Sequence, residues 1–261
     1  MPCLQQAVTY ATSAHGAKHM SIWGKIIGGG VGLALGGPLG AIIGATVGHA
    51  FDKHQAPTGE PDESTRSAAF TIAVVVLGAK MAKADGVVTK DEIHAFKEVF
   101  EIPPEDAQKV GGIFNHARQD SGGFEPYAHQ IADMFQGNPS VLEELLHCLS
   151  TIAHADGKLH RNEVVYLKKV AEIFGINERT FERITAIQTG GDSADPYLIL
   201  GVERNISDKA LKTAYRKLVR ENHPDKLIAE GLPEEFIKMA NTKLAAINNA
   251  YDQICKQRGI S

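Results

Sequence analysis

The sequence has 261 residues, a formal net charge of -4, 22% charged and 43% hydrophobic residues. That length suits more than one domain, and the near-neutral balance argues against a nucleic-acid binder, which needs a basic excess. Cys3, Cys148 and Cys255 stand far apart with no CxxC, which argues against a disulfide framework and a zinc ribbon.

Residues 1–25 form an N-terminal extension without a clear basic region at its start. Residues 26–51 hold nine of the 26 glycines and no Lys, Arg, Asp or Glu. As one helix they would span about 39 Å, against roughly 30 Å of bilayer hydrocarbon. Gly28, Gly32, Gly36, Gly40, Gly44 and Gly48 recur every four residues, along one helix face where a second backbone can approach closely. The run therefore reads as a transmembrane helix with a dimerisation face. Ile26, Ile27, Val31, Leu33 and Leu35 are too apolar for a flexible linker. A soluble helix would bear about 1 kcal/mol per glycine relative to alanine. A cleaved signal peptide would start earlier and run shorter. Trp23 suits an interface, and Pro38 predicts a mid-span kink. Lys18 and Lys25 before the span balance Lys53 and Arg66 after it, so charge leaves the orientation open.

Residues 52–67 read as a polar linker, and 68–184 as a helical domain broken by Pro103-Pro104, Ser121-Gly122-Gly123 and Gly137-Asn138-Pro139. That domain contains an echo of itself. Residues 81–101 and 152–172 share eight of 21 positions, including Asp85/Asp156, Gly86/Gly157 and Glu92/Glu163. The Gly-to-Glu spacing is half an EF-hand loop, but Met81 and Lys83, or Ile152 and His154, stand where its first carboxylates belong. Helix termini explain the motif better: a glycine stop, then a capping box at Thr89 and Glu92. His147, Cys148, His154 and His160 match no compact metal-ligand pattern, so no metal site is assigned. On this doubled motif, residues 70–180 resemble the TerB-like domain of tellurite-resistance proteins. The resemblance implies an all-helical bundle.

Residues 185–194 read as a second linker. In 195–261, DPYLILGV precedes a helix capped at Ser207. On a helical wheel, Leu211, Ala214, Tyr215, Leu218 and Val219 share one face, and Lys209, Lys212, Arg216 and Arg220 the opposite one. Proline halts this helix at His223-Pro224-Asp225. A second amphipathic helix carries Phe236, Ala240, Leu244, Ile247, Tyr251 and Ile254, and antiparallel packing would leave HPD exposed. Tyr197, Leu200, Leu211, Tyr215, Leu218, Leu244, Ile247 and Tyr251 are the expected core.

The constellation DPYLILGV, KTAYRKLVRENHPDK and AAINNAY resembles the J domain of DnaJ-type cochaperones. What it implies is docking to an ATP-dependent DnaK-type chaperone and stimulation of its ATP hydrolysis. The docking residues would be His223, Pro224 and Asp225 with Lys209, Lys212, Arg216, Lys217 and Arg220. The chemistry would be the partner's, so the chain is expected to be no enzyme and to need no cofactor. No Gly/Phe-rich linker or CxxCxGxG repeat follows.

An anchor, a TerB-like middle and a terminal J domain together resemble the membrane-anchored DnaJ-like family of Gram-negative bacteria. The fold class expected is all-α: a single N-terminal transmembrane helix, a helical bundle and a J-domain hairpin. The resemblance implies a single-pass inner-membrane protein with a short periplasmic N-terminus and cytoplasmic domains, in contact with inner-membrane lipid; the charge balance leaves no nucleic acid among its expected partners. A second reading makes the middle domain a metal or stress sensor with the J domain as its effector. A third, hydrolysis by a His223–Asp225 dyad, lacks any nucleophile context.

Overall fold

The structure is a computed structural model that describes residues 22, 26, 35–47, 63–85, 96, 102, 106–120, 122–190 and 194–260. Its regular elements are helical: α1 (Gly37–Val47), α2 (Glu63–Asp85), α3 (Ala107–Gln119), α4 (Glu125–Met134), α5 (Pro139–Ala153), α6 (Arg161–Ile173) and α7 (Glu178–Gly190). There follow α8 (Pro196–Ile199), α9 (Asp208–Glu221), α10 (Pro224–Ala229), a 3-10 turn at Glu234–Phe236 and α11 (Ile237–Arg258). Two expected linkers are partly helical, since α2 starts at Glu63 and α7 continues to Gly190.

The bundle is built around α2, which packs on α3, α4, α5 and α6. Residues 68–82 of α2 are buried on every side, so the helix needs an apolar residue at almost every position. Among the described residues it is also the helix long and apolar enough to cross a membrane, over Thr65–Lys83, with 83% of that window buried. Burial within the bundle explains its composition.

Lys80 is the exception on α2. Its buried ammonium donates to the Asp120 carboxylate at 2.6 Å and to the carbonyls of Asp120 and Gly122 at 3.1 and 2.6 Å. It thereby satisfies backbone oxygens left over at the end of α3. The Lys80 hydrogen bond is the main cause holding the Asp120 carboxyl down to about 2, from an ordinary 3.8. A depressed folded-state value gives stability that is complete above the unfolded pKa and lost as pH falls from about 4 towards 2. With Asp120 34% exposed, solvent screening leaves about 1 kcal/mol. Lys80→Met is expected to flatten the acid limb of stability below about pH 5, read from denaturation midpoints. An unchanged limb would count against the pairing.

The glycine-rich segment departs from one uninterrupted helix over 26–51. Gly36 and Gly37 have φ of +54° and +55°, and α1 begins there. The reason is Pro38, which disfavours a helical residue before it but fits the first turn of a new helix. The expected kink is therefore a break and a restart. Gln130 of α4 closes the broken backbone: its Oε1 accepts from the Leu39 amide at 3.0 Å. Its Nε2 donates to the carbonyls of Leu35 and Gly36 at 2.9 and 3.1 Å. Leu39, Ile42 and Ile43 are buried, and α1 packs on α3 and α4. Of the six glycines at period four, Gly36 sits in the break while Gly40 and Gly44 lie on α1. Gly28, Gly32 and Gly48 lie outside the described residues.

The second copy of the internal echo lies between α5 and α6. Gly157 has φ +82°, and Glu163 accepts from the His160 amide at 2.9 Å, which starts α6. Asp156 spends one oxygen on the Lys158 amide at 2.9 Å and sets the other 3.2 Å from the His160 ring. The matching turn at 86–92 lies outside the described residues.

Candidate chaperone-docking site

The C-terminal unit is a helical hairpin. The start of α9 meets the end of α11 where Arg258 contacts Asp208 at 3.0 Å, so the two helices run antiparallel. Arg258 also donates to the carbonyls of Ile206 and Arg204 and to the Tyr197 hydroxyl, at 2.7, 2.8 and 3.0 Å. Tyr215 and Tyr251 stack at 3.9 Å, and the Tyr215 hydroxyl donates to Asn248 at 3.0 Å. Both tyrosines are half-buried.

One expected core assignment and one expected helix position on the last helix need correction. Leu244 is half-buried while Lys243 beside it is fully buried, and Phe236 lies in the 3-10 turn before α11. The cause is that the first turns of α11 face the bundle and its later turns face α9, so no single stripe serves both.

Ser207 caps α9 by accepting from the Ala210 amide at 3.4 Å. With Leu211 and Leu218 buried inward, Lys209, Lys212, Arg216 and Arg220 are exposed, as the wheel predicts, and so is Lys217. The helix stops at Glu221, and His223-Pro224-Asp225 opens α10. The His223 side chain caps this short helix, its Nδ1 accepting from the Asp225 amide at 3.2 Å, and Pro224 takes the first helical position. With Nδ1 accepting, the proton of the neutral imidazole sits on the outward Nε2. The side chains of His223 and Asp225 are 51% and 88% exposed.

The two side chains stand 3.8 Å apart, beyond hydrogen-bond distance, so the hydrolytic dyad has no geometric support. HPD instead meets the end of the basic stripe in an open groove lined by Tyr215, Arg216, Val219, Arg220, His223, Asp225 and Lys226. Sequence reasoning omitted Lys226, whose adjacency to HPD was the available signal. It also assigned Tyr215 and Val219 to the apolar face alone, although they form the groove floor.

The histidines and cysteine considered as ligands do not gather into a cluster among the described residues. His147 is buried, with its ring 3.2 Å from Gln188, and burial lowers its pKa to about 4. Burial pushes the Cys148 thiol up. His160 starts α6. Among the described residues no three His, Cys, Asp or Glu side chains converge.

An exposed HPD at the foot of a basic helix, on a hairpin attached to a helical bundle, defines a J-domain co-chaperone. Comparison with known proteins agrees in chain order: the co-chaperone DjlA transmembrane domain matches residues 20–69, tellurite resistance protein TerB 71–186 and the DnaJ domain 195–258. Co-chaperone protein DjlA of Photobacterium profundum is 31% identical over 91% of this chain and 99% of the relative. Those of Vibrio vulnificus and Escherichia coli K12 are 32% and 30% identical, each over 92% of this chain and 99% of the relative. No solved structure matches. The chain belongs to the DjlA family of membrane-anchored J-domain co-chaperones. Its DnaJ domain implies a DnaK-type chaperone as partner.

Proposed function

We propose that this co-chaperone stimulates ATP hydrolysis by a cytoplasmic DnaK-type chaperone through the groove at the foot of α9. The observation carrying this reading is the junction of five exposed cations on α9 with exposed His223 and Asp225 on either side of a half-buried Pro224. The cations steer and dock an acidic partner surface, and HPD then biases the partner towards its hydrolysis-competent state. Steered docking weakens with ionic strength, so half-saturation should move to higher co-chaperone concentration as salt rises. The test is the steady-state ATPase of a DnaK-type chaperone titrated with the full chain; no stimulation at saturation would sink the reading.

The docking residues are His223, Pro224 and Asp225 with Lys209, Lys212, Arg216, Lys217 and Arg220. The domain limits that go with this reading are the anchor over 26–51, the bundle over 68–184 and the J domain over 195–261. The partner's need for ATP supports a cytoplasmic bundle and J domain on an inner-membrane anchor, with the short N-terminus periplasmic.

Self-association of two anchors through the glycine run completes the reading, supported by the four-residue glycine period. Gly40→Leu tests it better than Gly36→Leu, because Gly36 needs its left-handed backbone. Gly40→Leu is expected to lower the dimer fraction in detergent by several-fold, measured by sedimentation. An unchanged fraction would remove the glycine seam.

A further inference from the structure

The J unit is divided between two cores. Tyr197, Leu211, Leu218, Ile247 and Ile254 pack in its own. Leu227, Leu232, Phe236 and Ala240 belong to the core of the bundle. All four follow HPD in sequence. The start of α10 therefore places His223 and Asp225 in the docking groove, while Leu227, within the same short helix, is fully buried against the other core.

The join is close. Gly231 has φ +109°, and a Cβ there would stand 2.8 Å from Arg66 Cβ and 3.3 Å from the Phe135 ring. Phe236 meets Phe70 edge to face at 4.9 Å, and the Met239 sulfur lies 3.1 Å from Cys148 Sγ. At its centre is a charged pair. Lys243 Nζ of α11 donates to Glu144 Oε2 of α5 at 3.0 Å, across 99 residues of sequence, and both side chains are 0% exposed.

A fully buried ion pair adds little net stability over apolar residues of the same size. Removing one partner, however, leaves an uncompensated buried charge, so the pair penalises every seating but one. Helix α9 stands apart from this device, because it packs on α11 through the J unit's own core.

We propose that the bundle is a fixed mount for HPD, with Glu144 and Lys243 as positioning residues. They hold α10, and with it His223 and Asp225, at a set angle to the basic stripe on α9. The proposal rests on the reading that HPD acts on a DnaK-type chaperone, and its test has a readout independent of that reading.

The full chain in detergent is compared as wild type, Lys243→Met and the double variant Glu144→Met/Lys243→Met. The readouts are amide exchange over 224–243 and the chaperone ATPase titration. Lys243→Met should raise exchange over 224–243 at least about tenfold by opening the join. It should lower maximal stimulation several-fold and leave half-saturation within about twofold, since α9 still docks. The double variant removes both charges and should bring exchange and maximal stimulation back to within about twofold of wild type. Unchanged exchange in Lys243→Met overturns the mount, whatever the ATPase does. Equal damage in the single and double variants overturns the pair as its pin. If wild type itself fails to stimulate the chaperone, the functional reading falls and the exchange results alone decide the mount.

Discussion

His223→Gln is expected to reduce stimulation of a DnaK-type ATPase to the basal rate while the protein stays folded. The side chain is 51% exposed and packs in neither core. Its hydrogen bond to the chain is the cap on the Asp225 amide, with the Asp225 carboxylate 3.8 Å from the ring. Losing a cap costs about 1 kcal/mol, too little to unfold a domain. The basic stripe on α9 is untouched, so the variant should still occupy the chaperone. It should therefore compete with wild type in a mixed assay. Full stimulation by His223→Gln would refute the proposed role of HPD, and failure to compete would show that docking depends on His223 as well.

Phe236→Ala is expected to cost about 3–5 kcal/mol, the range for deleting a buried phenyl ring that leaves a cavity. Phe236 is 1% exposed and its ring sits edge to face on Phe70, which also meets Phe135 at 6.5 Å. The loss should spread beyond the J unit that contains the substitution. Amides of α2 in the bundle should lose exchange protection along with those of α11, in one denaturation transition. Protection of α2 at the wild-type level would mean that the J unit and bundle do not share this core.

The parts of the molecule legible in sequence are those where a local pattern carries the physics. Lys209, Lys212, Arg216 and Arg220 recur at helical spacing, so their common exposure follows from 100° per residue. HPD brings its own helix stop in Pro224. The parts that were not legible depend on distant partners. Lys243 lies three residues after Ala240 and four before Ile247, on the buried face of α11, but only Glu144 explains a lysine there. Leu244 looked the better core residue because apolarity alone does not tell which neighbour the first turns of a helix will meet. On α2, continuous apolarity fits a membrane span and a bundle centre equally, and the packing of four helices around it decides. At Pro38, the proline was visible, but restart of the helix required Gln130 to take up the freed backbone groups.

The contact of Phe236 with Phe70 limits how far the docking groove can travel from the lipid. Phe70 lies within two turns of the start of α2 at Glu63. Eleven residues, 52–62, separate that start from the charge-free run. Even drawn out fully they reach about 36–40 Å, and seven helical residues add about 10 Å. Such a short radius keeps chaperone recruitment within a thin shell at the bilayer surface.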